Sequence, residues 1–354
     1  MSELLIELVR RYSPSEQEAP AVRTLFEWMN AHGFDAEIDA AGNAVGLRGP
    51  LGAPHALLLL GHVDTVPGEI PVRVEDGHLY GRGSVDAKGS LCAFADAAAQ
   101  ATPAPGWRVM VVGAVEEETA TSKGARYIRD KFTPDLCIIG EPSGAERITL
   151  GYKGRLLLDY TLTRPVVHTS RPEPTVGALG AAFWQSVQEW ATQKNTGIER
   201  SFDQVLPGLR SINTESDHFY ETLRMTVGFR LPPHIPPGDV AEAMSALAEP
   251  DAEIRTYSAE LAYVGNKNNP LVRGMLTAIR ATGGQPGFVL KGGTSDMNVV
   301  GAAWTCPIIA YGPGDSSLDH TPNEHLPLAE YAQAVVALRH LIEHLPQTAS
   351  DNRA

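Results

Sequence analysis

Five short apolar runs in this chain end on the same kind of polar segment. Ala56 to Leu60 leads into Gly61-His62-Val63-Asp64, Trp107 to Val115 into Glu116-Glu117-Glu118, and Leu136 to Ile139 into Gly140-Glu141. Gly287 to Leu290 leads into Lys291-Gly292-Gly293-Thr294, and Pro307 to Tyr311 into a loop that reaches His320. The runs have the length of strands. Helical stretches such as Ser90 to Gln100 and Ser122 to Lys131 separate several of them, which predicts an α/β layered domain with a mixed, largely parallel sheet. In an open sheet of that kind ligands bind outside the carboxyl ends of the strands, so groups scattered along the chain are expected to converge on one rim.

Leu4, Leu5, Leu8 and Val9 repeat at helical spacing, and a Ser15 to Glu18 capping-box pattern predicts a second helix that closes near Gly33. Between Leu156 and about Val264 the texture changes. Leu156 to Leu162 and Leu223 to Arg230 alternate as strands, Val176 to Thr192 reads as a helix, and a second helix from Asp239 to Leu247 follows Pro232 to Pro237. This segment is expected to be a smaller α+β domain inserted into the first, with boundaries at 1–155 and 265–354 for the outer domain and 156–264 for the insert. Residues 347–354 look like a frayed tail.

Composition narrows the function classes. A chain of 354 residues that is 43% hydrophobic and 20% charged can bury a large core in more than one domain. A net charge of −13 argues against generic binding to nucleic acid or an anionic membrane. No apolar stretch approaches the ~20 residues needed to span a bilayer. The amino terminus carries Glu3 and Glu7 within its apolar run and lacks a basic n-region, so a cytoplasmic protein is expected. Cys92, Cys137 and Cys306 lie apart without Cys-x-x-Cys pairing, which favours buried reduced thiols and leaves any metal to nitrogen and oxygen ligands.

His62 and Asp64 stand two apart, so on an extended chain they share a face, and one can bind a metal while the other orients it. Taken alone, the pair reads better as a surface His and Asp at a strand end. Asp86 lies in Gly81-Arg82-Gly83-Ser84-Val85-Asp86-Ala87-Lys88-Gly89, which matches neither a Walker loop nor a complete Gly-x-Gly-x-x-Gly. Its glycines instead allow close backbone approach to a crowded site. Glu116 to Glu118 repel one another at a strand end, and either a solvated acidic turn or a cation site accounts for them.

Together these residues resemble a family, the co-catalytic zinc amidohydrolases that include acetylornithine deacetylase, succinyl-diaminopimelate desuccinylase and glutamate carboxypeptidase. The motifs that carry the resemblance occur in order: Gly61-His62-Val63-Asp64-Thr65-Val66-Pro67, the Gly81 to Gly89 loop, Glu116-Glu117-Glu118, Gly140-Glu141-Pro142-Ser143 and a late His320. The resemblance implies a zinc-peptidase-like catalytic domain with an inserted dimerisation and lid domain, and two divalent ions, zinc first, with cobalt or manganese as alternatives. It implies that Asp86 bridges the ions, that His62 and Glu141 complete one site, and that Glu118 and His320 complete the other. Asp64 and Glu117 then join the catalytic set, with Glu117 as general base. The triple glutamate leaves that register ambiguous by one: family members with an Asp-Glu-Glu triplet place the equivalent of Gly124 at the distance that selects Glu117, and Glu116 is the fallback. By the same resemblance His168 reaches a partner subunit's active site in a homodimer and stabilises the oxyanion. Arg230 and Asn213 contact a substrate carboxylate, and Gly292, Gly293 and Thr294 form a backbone cradle.

The stretch between the two motifs, Gly68 to Tyr80, is short. In this it resembles the branch of the family that releases lysine or ornithine from the terminal glutamate of an acidic amino-group carrier protein. An acidic carrier conflicts with a chain of net charge −13 unless a basic rim exists, for which Arg73, Lys153, Arg155, Arg164 and Arg171 are the candidates. A small-molecule N-acetylornithine or N-acetyl-lysine deacetylase is the alternative within the class. A non-catalytic metal-binding α/β protein is the alternative outside it, disfavoured because closed structural zinc sites prefer Cys and His.

Overall fold

The strand His55–His62 forms the middle of the main sheet, and Leu57 to Leu60 are apolar without interruption because both faces of it are covered. It pairs in parallel with Trp107–Ala114, placing His62 opposite Ala114, and with Leu136–Ile139, placing Leu60 opposite Ile139. Ile308–Ala310 continues the parallel run beside Leu136–Ile139. Antiparallel strands flank this centre: Ala44–Arg48 and then Asp35–Ile38 on one side, Arg147–Tyr152 on the other. The sheet is therefore mixed with a parallel core, and the carboxyl ends of its central strands carry His62, Glu116 to Glu118 and Glu141 along one edge.

This structure is a computed structural model that describes residues 2–168 and 170–346; the expected frayed tail lies outside them. The chain divides into two compact units. One runs through Gly151 and resumes over Gly265–Leu290 and from Ser295; the other is Tyr152–Val264 with Lys291–Thr294. In the first unit the helix Lys88–Gln100 packs on the sheet with Leu91, Ala95 and Ala98 fully buried, and its small residues permit close approach. Gly140 matters for the same reason: a Cβ there would meet Phe94 Cε2 at 2.8 Å and Gly61 Cα at 3.1 Å, so only glycine lets two neighbouring strand ends come together.

The second unit is a four-stranded antiparallel sheet in the order Leu206–Ser216, Tyr220–Leu231, Gly154–Pro165, Glu253–Glu260. Leu156, Leu158, Tyr160 and Leu162 alternate onto one buried face beneath the helices Val176–Lys194 and Pro237–Leu247, where Tyr160 stacks on Phe183 at 4.4 Å. The strand Leu206–Ser216 is not foreseen from sequence, because it lies at the sheet edge with nearly every residue exposed and shows no alternation.

The capping-box expectation is corrected. The helix is Ala19–Ala31, Glu18 occupies its cap position without a side-chain cap, and the Ser15 hydroxyl donates to Asp64 Oδ2 at 2.7 Å. The helix begins three residues beyond the expected start, so the Ser15 oxygen is not at its terminus, and the hydroxyl proton serves a buried carboxylate instead. Cys92 and Cys137 are buried free thiols, while Cys306 is only partly buried. No helix among the described residues is long and apolar enough to cross a membrane.

Candidate metal centre

The strand ends of the first unit bring two donor groups together: His62, Asp86 and Glu141 form one, and Asp86, Glu118 and His320 form the other, with the ligand atoms of each within 4.8 Å of one another. Asp86 belongs to both. Its Oδ1 lies 3.3 Å from His62 Nε2 and its Oδ2 lies 3.0 Å from His320 Nε2. Glu118 Oε1 is 3.1 Å from the same His320 nitrogen. Two ligands held 2.0–2.1 Å from a tetrahedral ion stand about 3.3 Å apart, so these separations are compatible with atoms that share a cation.

His62 is oriented by its chain. Its Nδ1 donates to the Asp64 main-chain oxygen at 3.0 Å, which fixes the tautomer and aims Nε2 inward. Nε2 is buried and faces Asp86 Oδ1 at 3.3 Å without an aligned hydrogen bond. A buried ring nitrogen with no aligned hydrogen bond, facing a carboxylate, is open to a ligand, and the all-nitrogen-and-oxygen donor set around it suits a divalent ion. The Asp86 loop depends on Gly83, whose φ of +81° and approach to Thr65, where a Cβ would meet Cγ2 at 2.7 Å, exclude larger residues.

Asp64 is fully buried and acts as a hub. It accepts the Ser15 hydroxyl, the Glu117 N–H at 3.1 Å on Oδ1 and the Glu118 N–H at 3.0 Å on Oδ2. One carboxylate thus positions the acidic loop by its side chain and His62 by its main chain. Glu18 assists, accepting the Glu116 N–H at 3.2 Å. Glu116 turns away from the centre, its carboxylate held by Thr121 Oγ1 at 2.7 Å and Lys123 Nζ at 3.1 Å. Glu117 remains in neither donor group, and its electrostatic neighbours are His62, Glu141, Asp296 and Glu118.

The electrostatics show a site short of positive charge. Burial raises the Glu117 carboxyl well above the usual range; His62 opposes this, and the Glu141, Asp296 and Glu118 carboxylates add to it. Burial likewise raises Glu118, reinforced by Asp86. His320 moves the other way, its hydrogen bonds to the Asp86 and Glu118 carboxylates holding its imidazolium up to about 10. Burial disfavours charge on His62, yet Asp64 and Asp86 outweigh it and hold that imidazolium well above its ordinary value. In the metal-free protein, ring protons stand where cations would otherwise balance the acids.

The remaining expected residues lie in the second unit. Arg230 Nη1 donates to Thr294 Oγ1 at 2.7 Å, so these two are neighbours, and Gly292 and Gly293 precede them with open space where a Cβ would sit or only distant contact. Asn213 is elsewhere. It pairs with Arg224 on the sheet, whereas Arg230 pairs with Leu206, seven residues and roughly 23 Å away at strand rise. His168 is exposed, its Nδ1 2.8 Å from Ser170 Oγ. Three of the five cations expected on a basic rim have local partners. Lys153 is fully buried, its ammonium donating to the Ser201 and Gln204 carbonyls, and Arg164 is consumed by Glu249 and Asp251 at 2.7 Å each. Arg73 stacks over Tyr80 at 3.8 Å and bonds Glu75. Lys153 is thereby removed from any such rim, whereas Arg73 and Arg164 keep part of their side chains exposed.

A mixed α/β sheet whose strand ends gather two oxygen-rich donor groups around a shared carboxylate defines a metal-dependent hydrolase compatible with a dinuclear site. The chain belongs to Peptidase family M20/M25/M40, whose family model matches residues 58–344. It is 44% identical over 350 residues to the LysW-lysine hydrolase of Deinococcus radiodurans, covering 97% of this chain and 96% of the relative. It is 38% identical over 344 residues to a putative LysW-lysine/LysW-ornithine hydrolase of Thermococcus kodakarensis, covering 97% of this chain and 91% of the relative. An M20 family metallo-carboxypeptidase from Sulfolobus solfataricus shares the fold, with a TM-score of 0.74 at 20% identity over 97% of this chain and 99% of that one.

Proposed function

We propose that this chain hydrolyses the amide that joins lysine or ornithine to the terminal glutamate of the carrier protein LysW, using two divalent ions, zinc first. The observation that carries the proposal is the pair of donor groups closing on Asp86 in a chain whose whole length matches proteins named for that hydrolysis. His62 and Glu141 would hold one ion, Glu118 and His320 the other, and Asp86 both. Bound there, the ions would acidify a water and polarise the amide carbonyl. Glu117, outside both ligand groups, accepts the proton of the attacking water and returns it to the leaving α-amine, so that the C–N bond breaks to a free amino acid and a carboxylate. Asp64 keeps His62 and the acidic loop in place while this happens. The Thr121 and Lys123 contacts of the Glu116 carboxylate support Glu117 over Glu116 in this role.

Homodimerisation is part of this reading. The edge strand Leu206–Ser216 has no strand on its outer side among the described residues and exposes Leu209 and Ile212, with Phe219 exposed in the turn that follows and Tyr220 exposed at the start of the next strand. A second copy pairing there would account for them and would offer His168 and Asn213 to another subunit. The cytoplasm is the expected setting, in keeping with three unpaired cysteines.

An assay panel tests the proposal: LysW carrying lysine or ornithine beside free N-acetyl-lysine and N-acetylornithine, each with and without chelator. Turnover confined to the carrier-linked amides and abolished by chelation is the expected result. Equal or faster turnover of the free acetyl amino acids would replace this reading with that of a small-molecule deacetylase.

A further inference from the structure

We propose that Glu324 is a positioning residue that fixes Asp86 and His320 relative to one another, with Arg82 as its counter-ion. The inference rests on reading Asp86 and His320 as metal ligands. It begins with a strand pairing: His325–Pro327 runs antiparallel to His78–Tyr80 with His325 opposite Tyr80, so the residue before one strand, Glu324, lies beside the residue after the other, Gly81. The Gly81 N–H donates to the Glu324 main-chain oxygen at 3.4 Å.

The Glu324 side chain is fully buried. Its Oε1 accepts the N–H of Val85 at 2.9 Å and that of Asp86 at 3.1 Å, and its Oε2 takes Arg82 Nη1 at 2.8 Å. Arg82, also buried, donates from the same Nη1 to the Thr321 carbonyl at 3.2 Å and from Nε to the Gly68 carbonyl at 3.0 Å. One ion pair therefore joins the loop that carries Asp86, the loop that carries His320, and the turn that follows the His62 and Asp64 segment.

Packing alone does not explain such a pair. A buried charge is costly unless paired and hydrogen-bonded, and apolar residues of similar volume fill a core at less desolvation cost. What the carboxylate supplies and an apolar side chain cannot is direction. Charge-assisted bonds to two consecutive amides fix the backbone from which the Asp86 side chain projects, while the tie to Arg82 and Thr321 holds His320's loop at the same spacing. The 3.0 Å separation of Asp86 Oδ2 and His320 Nε2 is the distance this arrangement sets.

The test is zinc affinity, measured on the metal-free full chain by chelator competition, with the cobalt(II) absorption spectrum as a readout of ligand geometry. Glu324→Gln keeps an acceptor for the two amides but turns an N–H₂ group toward Arg82. Zinc affinity is expected to fall about 10–100-fold, the range for groups that orient metal ligands, with an altered cobalt spectrum and kcat recovering as zinc is raised. Arg82→Lys keeps the charge but cannot reach Glu324, Thr321 and Gly68 together; it should move affinity in the same direction by less, and it carries the test if the first variant does not fold. Unchanged zinc affinity in both variants, with the thermal midpoints of metal-free and metal-loaded protein falling equally, would overturn the proposal and leave a structural pin. His320→Ala separates the two levels: if it leaves zinc binding intact, the ligand reading itself fails irrespective of Glu324.

Discussion

Glu117→Gln is the sharpest single perturbation of the reaction. The substitution is isosteric, and the loop is held through its backbone, by Asp64 Oδ1 on the Glu117 N–H at 3.1 Å and Asp64 Oδ2 on the Glu118 N–H at 3.0 Å. Glu118 should therefore stay in its donor group. Neither group contains Glu117, so both ions should remain. Only a proton acceptor is lost. A positioned general base contributes about 10²–10⁴-fold, which at ~1.4 kcal/mol per factor of ten corresponds to ~3–5 kcal/mol of barrier. The assay is kcat on lysine-loaded LysW beside metal content measured by mass spectrometry on the same sample. A fall in kcat within that range at unchanged metal stoichiometry is expected. Loss of metal together with activity would show that Glu117 is a ligand, and unchanged kcat would show that it does no proton transfer; either result refutes the assignment.

Two further outcomes follow from the same geometry. Glu116→Gln should leave kcat within about twofold and stability within ~1 kcal/mol, since it removes a partly exposed ion pair with Lys123 and no group aimed at the centre, and steady-state kinetics with thermal melts check this. Metal uptake should release protons. With the His320 imidazolium held up to about 10, the ring is charged at neutral pH and must lose a proton before it can donate to a metal, so affinity should rise with pH towards that value and fall on acidification. Calorimetric titrations in buffers of different ionisation enthalpy at pH 7 should report release of at least about one proton per chain; no dependence on buffer would contradict the charge assignment.

His62, the acidic triplet and Glu141 were legible because they sit at or just past the ends of strands, where an apolar run stops on a His or Glu, whereas Asp86 and His320 lie in loops and were legible through their motifs. The parallel centre of the sheet was readable from the same apolar runs. The framework behind the site was not. Ser15 reaches Asp64 across 49 residues, Glu18 reaches Glu116 across 98, and Glu324 meets Asp86 across 238; local periodicity carries no trace of partners that distant. Ser15 and Glu18 even mimic a capping box, a pattern that tertiary contacts override. Lys153 misleads in the opposite sense, since a lysine beside strands suggests surface charge, whereas here it is buried and its ammonium donates to two main-chain carbonyls. The triple glutamate shows both sides: sequence leaves the register open by one, and the Lys123 and Thr121 contacts of Glu116 separate the three residues.

Anomalous diffraction at the zinc edge from crystals of the metal-loaded protein tests the central claim most directly. Two peaks per chain are expected, one contacted by His62, Asp86 and Glu141 and the other by Asp86, Glu118 and His320. A single peak, or ions bound away from Asp86, would contradict it.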